Sequence, residues 1–120
     1  MKLLLIFLFF IIPSFSFSQT NETSQVSNVN YASFIMYHRF GDSRYPSTNI
    51  KKEQFMRHID ELLKSKYNVI SIEKALLAIN DVEQIKDRSV VITIDDAYSS
   101  VYKYAWPIFK QHNLPFTLFV

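Results

Sequence analysis

Two adjacent carboxylates follow an almost wholly apolar run in this sequence. The stretch "SVVITIDDAY" (89–98) places Asp95 and Asp96 at the end of that run. Burying an ionised carboxylate without a partner is costly, so we expect the pair at the exposed end of a strand. There it could bind a metal, take a proton or cap a following helix. The pair alone leaves these alternatives open.

A histidine follows another strand-like segment, "FIMYHRF" (34–40), whose residues are aromatic and β-branched. Active sites of parallel α/β folds lie at the carboxyl ends of strands, so His38 is expected to converge with the Asp pair. The alternative for His38 is a half-buried structural histidine. Tyr98 is close enough to the pair to contact substrate or to pack at the rim. The charges of Arg39 and its loop are predicted to face solvent.

The remaining pattern alternates between strand and helix. Between Lys52 and Lys66 apolar residues recur on one helical face, namely Phe55, Ile59, Leu62 and Leu63. Ser71 could cap a second helix that ends near Ile79. "SVVITI" (89–94) is apolar on both faces, which is typical of a central parallel strand. A helix with Val101, Ala105, Ile108 and Phe109 on one side follows, and Pro107 is expected to kink it or end it early. A strand in "PFTLFV" (115–120) comes next. This order predicts a parallel α/β sheet or barrel.

The N-terminus has the pattern of a secretory signal. Lys2 precedes ten apolar residues, Leu3–Ile12, and small residues follow Pro13, so we expect cleavage after Ser18. Ten residues are too few for a bilayer span, which needs about 20. The alternative is an uncleaved anchor. We expect a signal peptide at 1–18, a polar linker at 19–30, a truncated domain at 31–120, and a secreted, periplasmic or cell-envelope location.

Composition excludes several classes of function. The 120 residues carry 13 Lys and Arg against 11 Asp and Glu, so a nucleic-acid partner is not expected. The chain has no cysteine, which excludes a lipoprotein anchor, a thiol nucleophile and thiolate metal ligands. No stable membrane span is expected once the signal has been cleaved.

The segment "VVITIDDAYSSVYKYAWPIFKQHNLPFTLFV" (90–120) resembles the first motif region of the polysaccharide deacetylases, the NodB-like carbohydrate esterases. That family usually has a strand ending in T-F-D-D-G, a helix with a P-I-L-K segment, and P-A-T-F-F. "IMYHRF", "EQFMRHIDEL" and "YNVISIEKAL" resemble the branch that acts on exported poly-N-acetylglucosamine-like polymers. The resemblance covers about residues 34–120. Ile94 and Ala97 depart from the motif, and Ala97 would be strained if its φ were positive.

The resemblance implies the N-terminal part of a distorted (β/α) barrel. It implies a metal-dependent hydrolase that removes N-acetyl groups from an exported or cell-envelope amino-sugar polysaccharide. Asp95 would be the catalytic base, Asp96 a ligand of a divalent ion such as zinc, and His38 the acid. Two histidine ligands would lie beyond Val120, so we expect the fragment alone to be inactive. The alternative is a non-catalytic carbohydrate-binding relative.

Overall fold

A computed structural model describes residues 28–120, so the predicted signal peptide and most of the predicted linker lie outside the described residues. The strands of the described part are β1 Asn28–Val29, β2 Ser33–Tyr37, β3 Arg39–Phe40, β4 Asn49–Ile50, β5 Asn68–Ile70, β6 Ile85–Lys86, β7 Ser89–Asp95 and β8 Thr117–Phe119. The α-helices are α1 Lys52–Lys64, α2 Ile72–Ile79 and α3 Trp106–Gln111.

Strand β7 is the centre of a four-stranded parallel sheet. It pairs with β2 along one edge, from Ser33 opposite Val90 to Tyr37 opposite Ile94. Its other edge pairs first with β5 and then, nearer its carboxyl end, with β8. The predicted parallel α/β sheet is therefore present, and β2, β7 and β8 direct their carboxyl ends to one side of the molecule.

The apolar sequence of β7 explains its central position. Six successive residues from Ser89 to Ile94 are buried, and only Asp95 at the end is partly exposed. Burial of each Val or Ile side chain contributes roughly 1.5–3 kcal/mol relative to exposure. Helix α1 covers the sheet with Phe55, Ile59 and Leu62. The rings of Phe55 and Phe109 meet edge to face at 5.5 Å between centroids.

The helical segment after β7 does not end early at Pro107 but continues to Gln111, with a π-helical turn just before the proline. Residues Val101–Ala105 form a π-helical turn, which the Trp106 N–H closes by donating to the Val101 carbonyl. Pro107 then lies in the first turn of α3. Because residues 99–105 before it are already helical, the missing N–H of Pro107 leaves a carbonyl of the preceding turn without an intrahelical donor. Val101, Ala105 and Phe109 face the core, as the spacing predicted.

Several local predictions need correction. The predicted 34–40 strand is divided at His38 into β2 and β3, and β3 pairs with β4 in the predicted loop. Leu63 was predicted on the apolar face of α1 but is 45% exposed. Asn28–Val29, inside the predicted linker, pair antiparallel with β6. The domain boundary at residue 31 stays a prediction.

The structure shows the predicted side-chain cap of α2 and a glycine with positive φ directly after β3. The Lys74 N–H donates to the Ser71 side chain at 3.3 Å, which caps α2. Gly41 follows β3 with a φ of +71°, and a Cβ there would lie 2.6 Å from Cε of Lys52. Between residues 28 and 120 there is no helix that is both long and apolar enough to cross a bilayer.

Candidate functional site

The two adjacent carboxylates lie at the carboxyl end of β7, where the apolar pattern predicted them. Asp95 is the last residue of the strand, and Asp96 begins the turn that follows. Asp96 has a φ of +60°, a left-handed conformation that is uncommon for residues other than glycine. The side chains of Asp95 and Asp96 therefore point in different directions. Both the alternation of side chains along a strand and the left-handed turn contribute to this difference. Such backbone conformations cost about 1–3 kcal/mol and occur often at functional sites.

The condition for strain at Ala97 is not met, because Ala97 does not have a positive φ, whereas its neighbour Asp96 does. The motif position that usually holds glycine therefore accepts alanine without a left-handed backbone. The unusual conformation lies instead at the residue that the resemblance assigns to metal binding.

His38 is brought to the Asp pair, as the strand order predicted. It lies between β2 and β3, and its Nε2 atom is 3.7 Å from Oδ2 of Asp95. The two side chains are 25% and 36% exposed, so both are open to a ligand arriving from solvent. Because β2 and β7 are parallel neighbours, a histidine directly after one and an aspartate ending the other must share an edge. An imidazole beside a carboxylate can hold and move a proton.

Tyr98 lies in the turn that follows the Asp pair. Its N–H donates to the Asp96 carbonyl at 3.0 Å, which tightens the turn. The Asp96 carboxylate beside the Tyr98 hydroxyl raises the pKa of Tyr98, because it accepts a hydrogen bond from the neutral phenol. Tyr98 therefore contacts one member of the pair directly.

Arg39 is placed differently from the sequence prediction. We expected its charge to face solvent, but its guanidinium carbon lies 3.3 Å from the Tyr98 ring centroid and 4.0 Å from that of Tyr45. Its Nε is buried and has no hydrogen-bond partner among the described residues. Arg44 in the same loop does face solvent, is 79% exposed and pairs with Asp42. The side chain of Arg44 also lowers the pKa of Asp42 by hydrogen bonding.

Sequence reasoning treated these two arginines alike, although Arg39 belongs to the predicted strand 34–40 and Arg44 to the loop that follows it. The signal for Arg39 was its position in the strand segment "MYHRF", next to a histidine. In the structure this segment continues as β3, where the Arg39 N–H donates to the Thr48 carbonyl at 3.0 Å.

Two cavities lie beside the site. One, of about 350 Å³, is lined in part by His38, Arg39, Asn49 and His58. The other, of about 180 Å³, has an almost wholly apolar lining and begins at Ala97 and Tyr98. The first offers polar groups and the second aromatic faces next to the carboxylates.

The described residues supply part of the donor set for a metal ion. Asp96 offers carboxylate oxygens at an exposed turn, which suit a divalent cation. Within residues 28–120 no group of three His, Cys, Asp or Glu side chains could hold a metal ion. The donor chemistry therefore fits a cation, and a complete site requires ligands in addition to those described.

Comparisons with known proteins find similarity to polysaccharide deacetylases. Residues 83–120 match the family model "Polysaccharide deacetylase". The curated relative YxkH of Bacillus subtilis (strain 168), whose name describes a polysaccharide deacetylase, is 27% identical over 86 residues. That match covers 72% of this chain and 30% of YxkH. The chain thus spans about a third of the length of its curated relative.

Solved structures show the same fold. IcaB from Ammonifex degensii is similar with a TM-score of 0.67 and 27% identity, over 75% of this chain and 38% of IcaB. A de-N-acetylase from Aggregatibacter actinomycetemcomitans has a TM-score of 0.64 and 24% identity, over 72% of this chain and 36% of that one. The Streptococcus pyogenes deacetylase PplD has a TM-score of 0.62 and 20% identity, over 77% and 42% of the two chains. The described sheet and these similarities show that the chain is similar to polysaccharide deacetylases and holds part of the fold of the solved ones.

Proposed function

We propose that the intact protein is a metal-dependent hydrolase that removes N-acetyl groups from an exported or cell-envelope amino-sugar polysaccharide. One observation carries this proposal: His38 lies 3.7 Å from Asp95, with Asp96 adjacent, at the carboxyl end of the central strand. The family match includes this strand end and supports deacetylase chemistry. Amide hydrolysis needs a base for the attacking water and an acid for the leaving amine, and this edge supplies a candidate for each.

The roles are divided among the three side chains. Asp95, half open at the end of β7, takes the proton of the attacking water as the water adds to the N-acetyl carbonyl carbon. His38 delivers a proton to the sugar nitrogen as the carbon–nitrogen bond breaks, which gives acetate and a free amine. Asp96 supplies one ligand of a divalent cation, for which we propose zinc. When bound, such an ion acidifies water and polarises a carbonyl oxygen.

The names of the similar proteins and the groups at the site support the proposed substrate class. The names of the similar proteins describe a polysaccharide deacetylase and a de-N-acetylase, which supports an N-acetylated polysaccharide as the partner. Tyr98 and the polar cavity that begins at His38 offer an aromatic face and hydrogen-bonding groups for a sugar. The apolar N-terminal run supports export to the cell envelope or beyond.

The proposal is tested on the intact protein with N-acetylglucosamine oligomers. Acetate release that stops when a chelator removes the metal, and returns when zinc is added, is the expected result. N-terminal sequencing of the exported protein should begin at Gln19. Binding of the oligomers without acetate release at any metal concentration would identify a non-catalytic carbohydrate-binding relative and reject the hydrolase.

A further inference from the structure

Arg39 and Tyr98 connect two parts of the molecule that are about 60 residues apart in sequence and that both border the site. Arg39 is the first residue of β3, and Tyr98 belongs to the turn after β7. The guanidinium lies between the Tyr98 and Tyr45 rings, at 3.3 and 4.0 Å from their centroids. Arginine stacks well on aromatic faces because its guanidinium is planar and weakly hydrated.

Stacking on the Tyr98 and Tyr45 rings explains the position of the Arg39 side chain, whereas ion pairing does not explain it. Among residues 28–120 its side chain forms no salt bridge, and its Nε is buried without an acceptor. The nearby acid Asp42 is instead held by Arg44, in two hydrogen bonds of 2.9 and 3.0 Å. A buried guanidinium nitrogen without a partner is unfavourable, so the two ring contacts must compensate for it.

A second contact ties the same two segments together. The N–H of Phe40, next to Arg39, donates to the side chain of Ser100 at 3.2 Å. The turn 96–100 is therefore held against β3 at two points, the Tyr98 ring and the Ser100 hydroxyl. The turn begins with Asp96 at a φ of +60°, a conformation that persists only where the surroundings support it.

We propose that Arg39 is a positioning residue, which holds the Tyr98 ring and with it the turn in which the Tyr98 N–H bonds the Asp96 carbonyl, so that Asp96 keeps the backbone conformation from which its carboxylate would bind a metal ion. This inference rests on the proposed function. Groups that orient a metal ligand matter for affinity, and losing one typically weakens metal binding roughly 10- to 100-fold. Arg39 acts one step further away, through the ring and the backbone of Tyr98.

The test compares zinc dissociation constants of variants of the intact protein, measured under conditions where each variant is folded. Arg39→Gln should weaken zinc binding about tenfold or more. Arg39→Lys, which keeps the charge but not the planar group, should lie between Arg39→Gln and the unmodified protein. The matched control is Arg44→Gln, which removes the same charge from the exposed arginine of the same loop and should leave zinc affinity unchanged.

A double-mutant cycle separates positioning from a general structural effect. Tyr98→Leu removes the ring that contacts Arg39, so it should weaken zinc binding by itself. Adding Arg39→Gln to Tyr98→Leu should then cause little further loss, because the ring through which Arg39 acts is gone. Should Arg39→Gln prevent folding, Tyr45→Leu removes the outer ring of the stack without altering β3 and is expected to weaken zinc binding.

The outcomes distinguish this inference from the proposed function. Equal zinc affinity in Arg39→Gln and Arg44→Gln, with normal binding by the unmodified protein, would overturn the positioning role alone. Fully additive losses in the cycle would also overturn it. Failure of the unmodified protein to bind zinc or another divalent ion would overturn both proposals.

Discussion

The body of β7 and the turn that follows it are neighbours in sequence but differ in burial, backbone conformation and side-chain type. From Ser89 to Ile94 every residue is buried, the backbone is extended, and the strand pairs along both edges. From Asp95 to Ser100 the side chains are polar or aromatic except for Ala97, and Asp96 has a left-handed backbone. Burial and hydrogen bonding in the strand body stabilise the fold. The strained backbone of the turn lowers that stability but places the charged groups of the site. Changes in the two regions should therefore separate stability from activity.

The largest expected effect is at Asp96. Asp96→Ala in the intact protein should abolish both metal binding and acetate release, because it removes the only ligand proposed from the described residues. Metal content and turnover on N-acetylglucosamine oligomers, measured on the same preparation, check this. If the variant keeps its metal and its rate, the carboxylate is a helix-capping group and the proposed role is wrong.

The next largest effect is expected at Asp95. It tests whether the two adjacent carboxylates have different roles. Asp95→Asn keeps the shape of the side chain but removes the base, so metal content should stay normal while turnover falls. General-base contributions are typically about 10²–10⁴-fold, so the loss should be at least on the order of a hundredfold. Loss of metal as complete as in Asp96→Ala, or near-normal turnover, would contradict the division of roles.

These two regions also differ in how well the sequence predicted them. The buried strand follows from its unbroken apolar run, and the convergence of His38 with Asp95 follows from parallel neighbours that end at the same edge. The positive φ of Asp96 was not predictable, because no glycine or asparagine marks that position. The sandwich of Arg39 between two tyrosines was missed as well, since it depends on a contact between β3 and a turn about 60 residues later.

A smaller effect is expected in the strand body. Ile92 is fully buried in the core, and Ile92→Val removes one methylene group from its packing. Such a change typically lowers the free energy of unfolding by about 0.5–1.5 kcal/mol. Urea unfolding of the intact protein measures this loss, and metal content and turnover per folded molecule should not change. A marked loss of turnover at unchanged stability would show that the strand body and the turn are not separable.

The smallest expected effect is a rise in the free energy of unfolding, whereas most substitutions lower it. Asp96→Gly places at φ +60° the residue that adopts this conformation without steric cost. The greater freedom of glycine in the unfolded chain offsets part of the gain, and aspartate tolerates the left-handed region better than most residues. We therefore expect the free energy of unfolding to rise by a few tenths of a kcal/mol up to about 1 kcal/mol, while metal binding is lost.

The matched control is Asp95→Gly, one residue earlier. Asp95 ends an extended strand and has no positive φ, so glycine there should lower the free energy of unfolding by roughly 0.5–1 kcal/mol. Urea unfolding of the two variants, both without added metal, compares the adjacent positions directly. Opposite signs would show that backbone strain in the turn is concentrated at the proposed metal ligand. Equal destabilisation by both substitutions would mean that the left-handed conformation of Asp96 carries no cost, and that its carboxylate instead stabilises the turn.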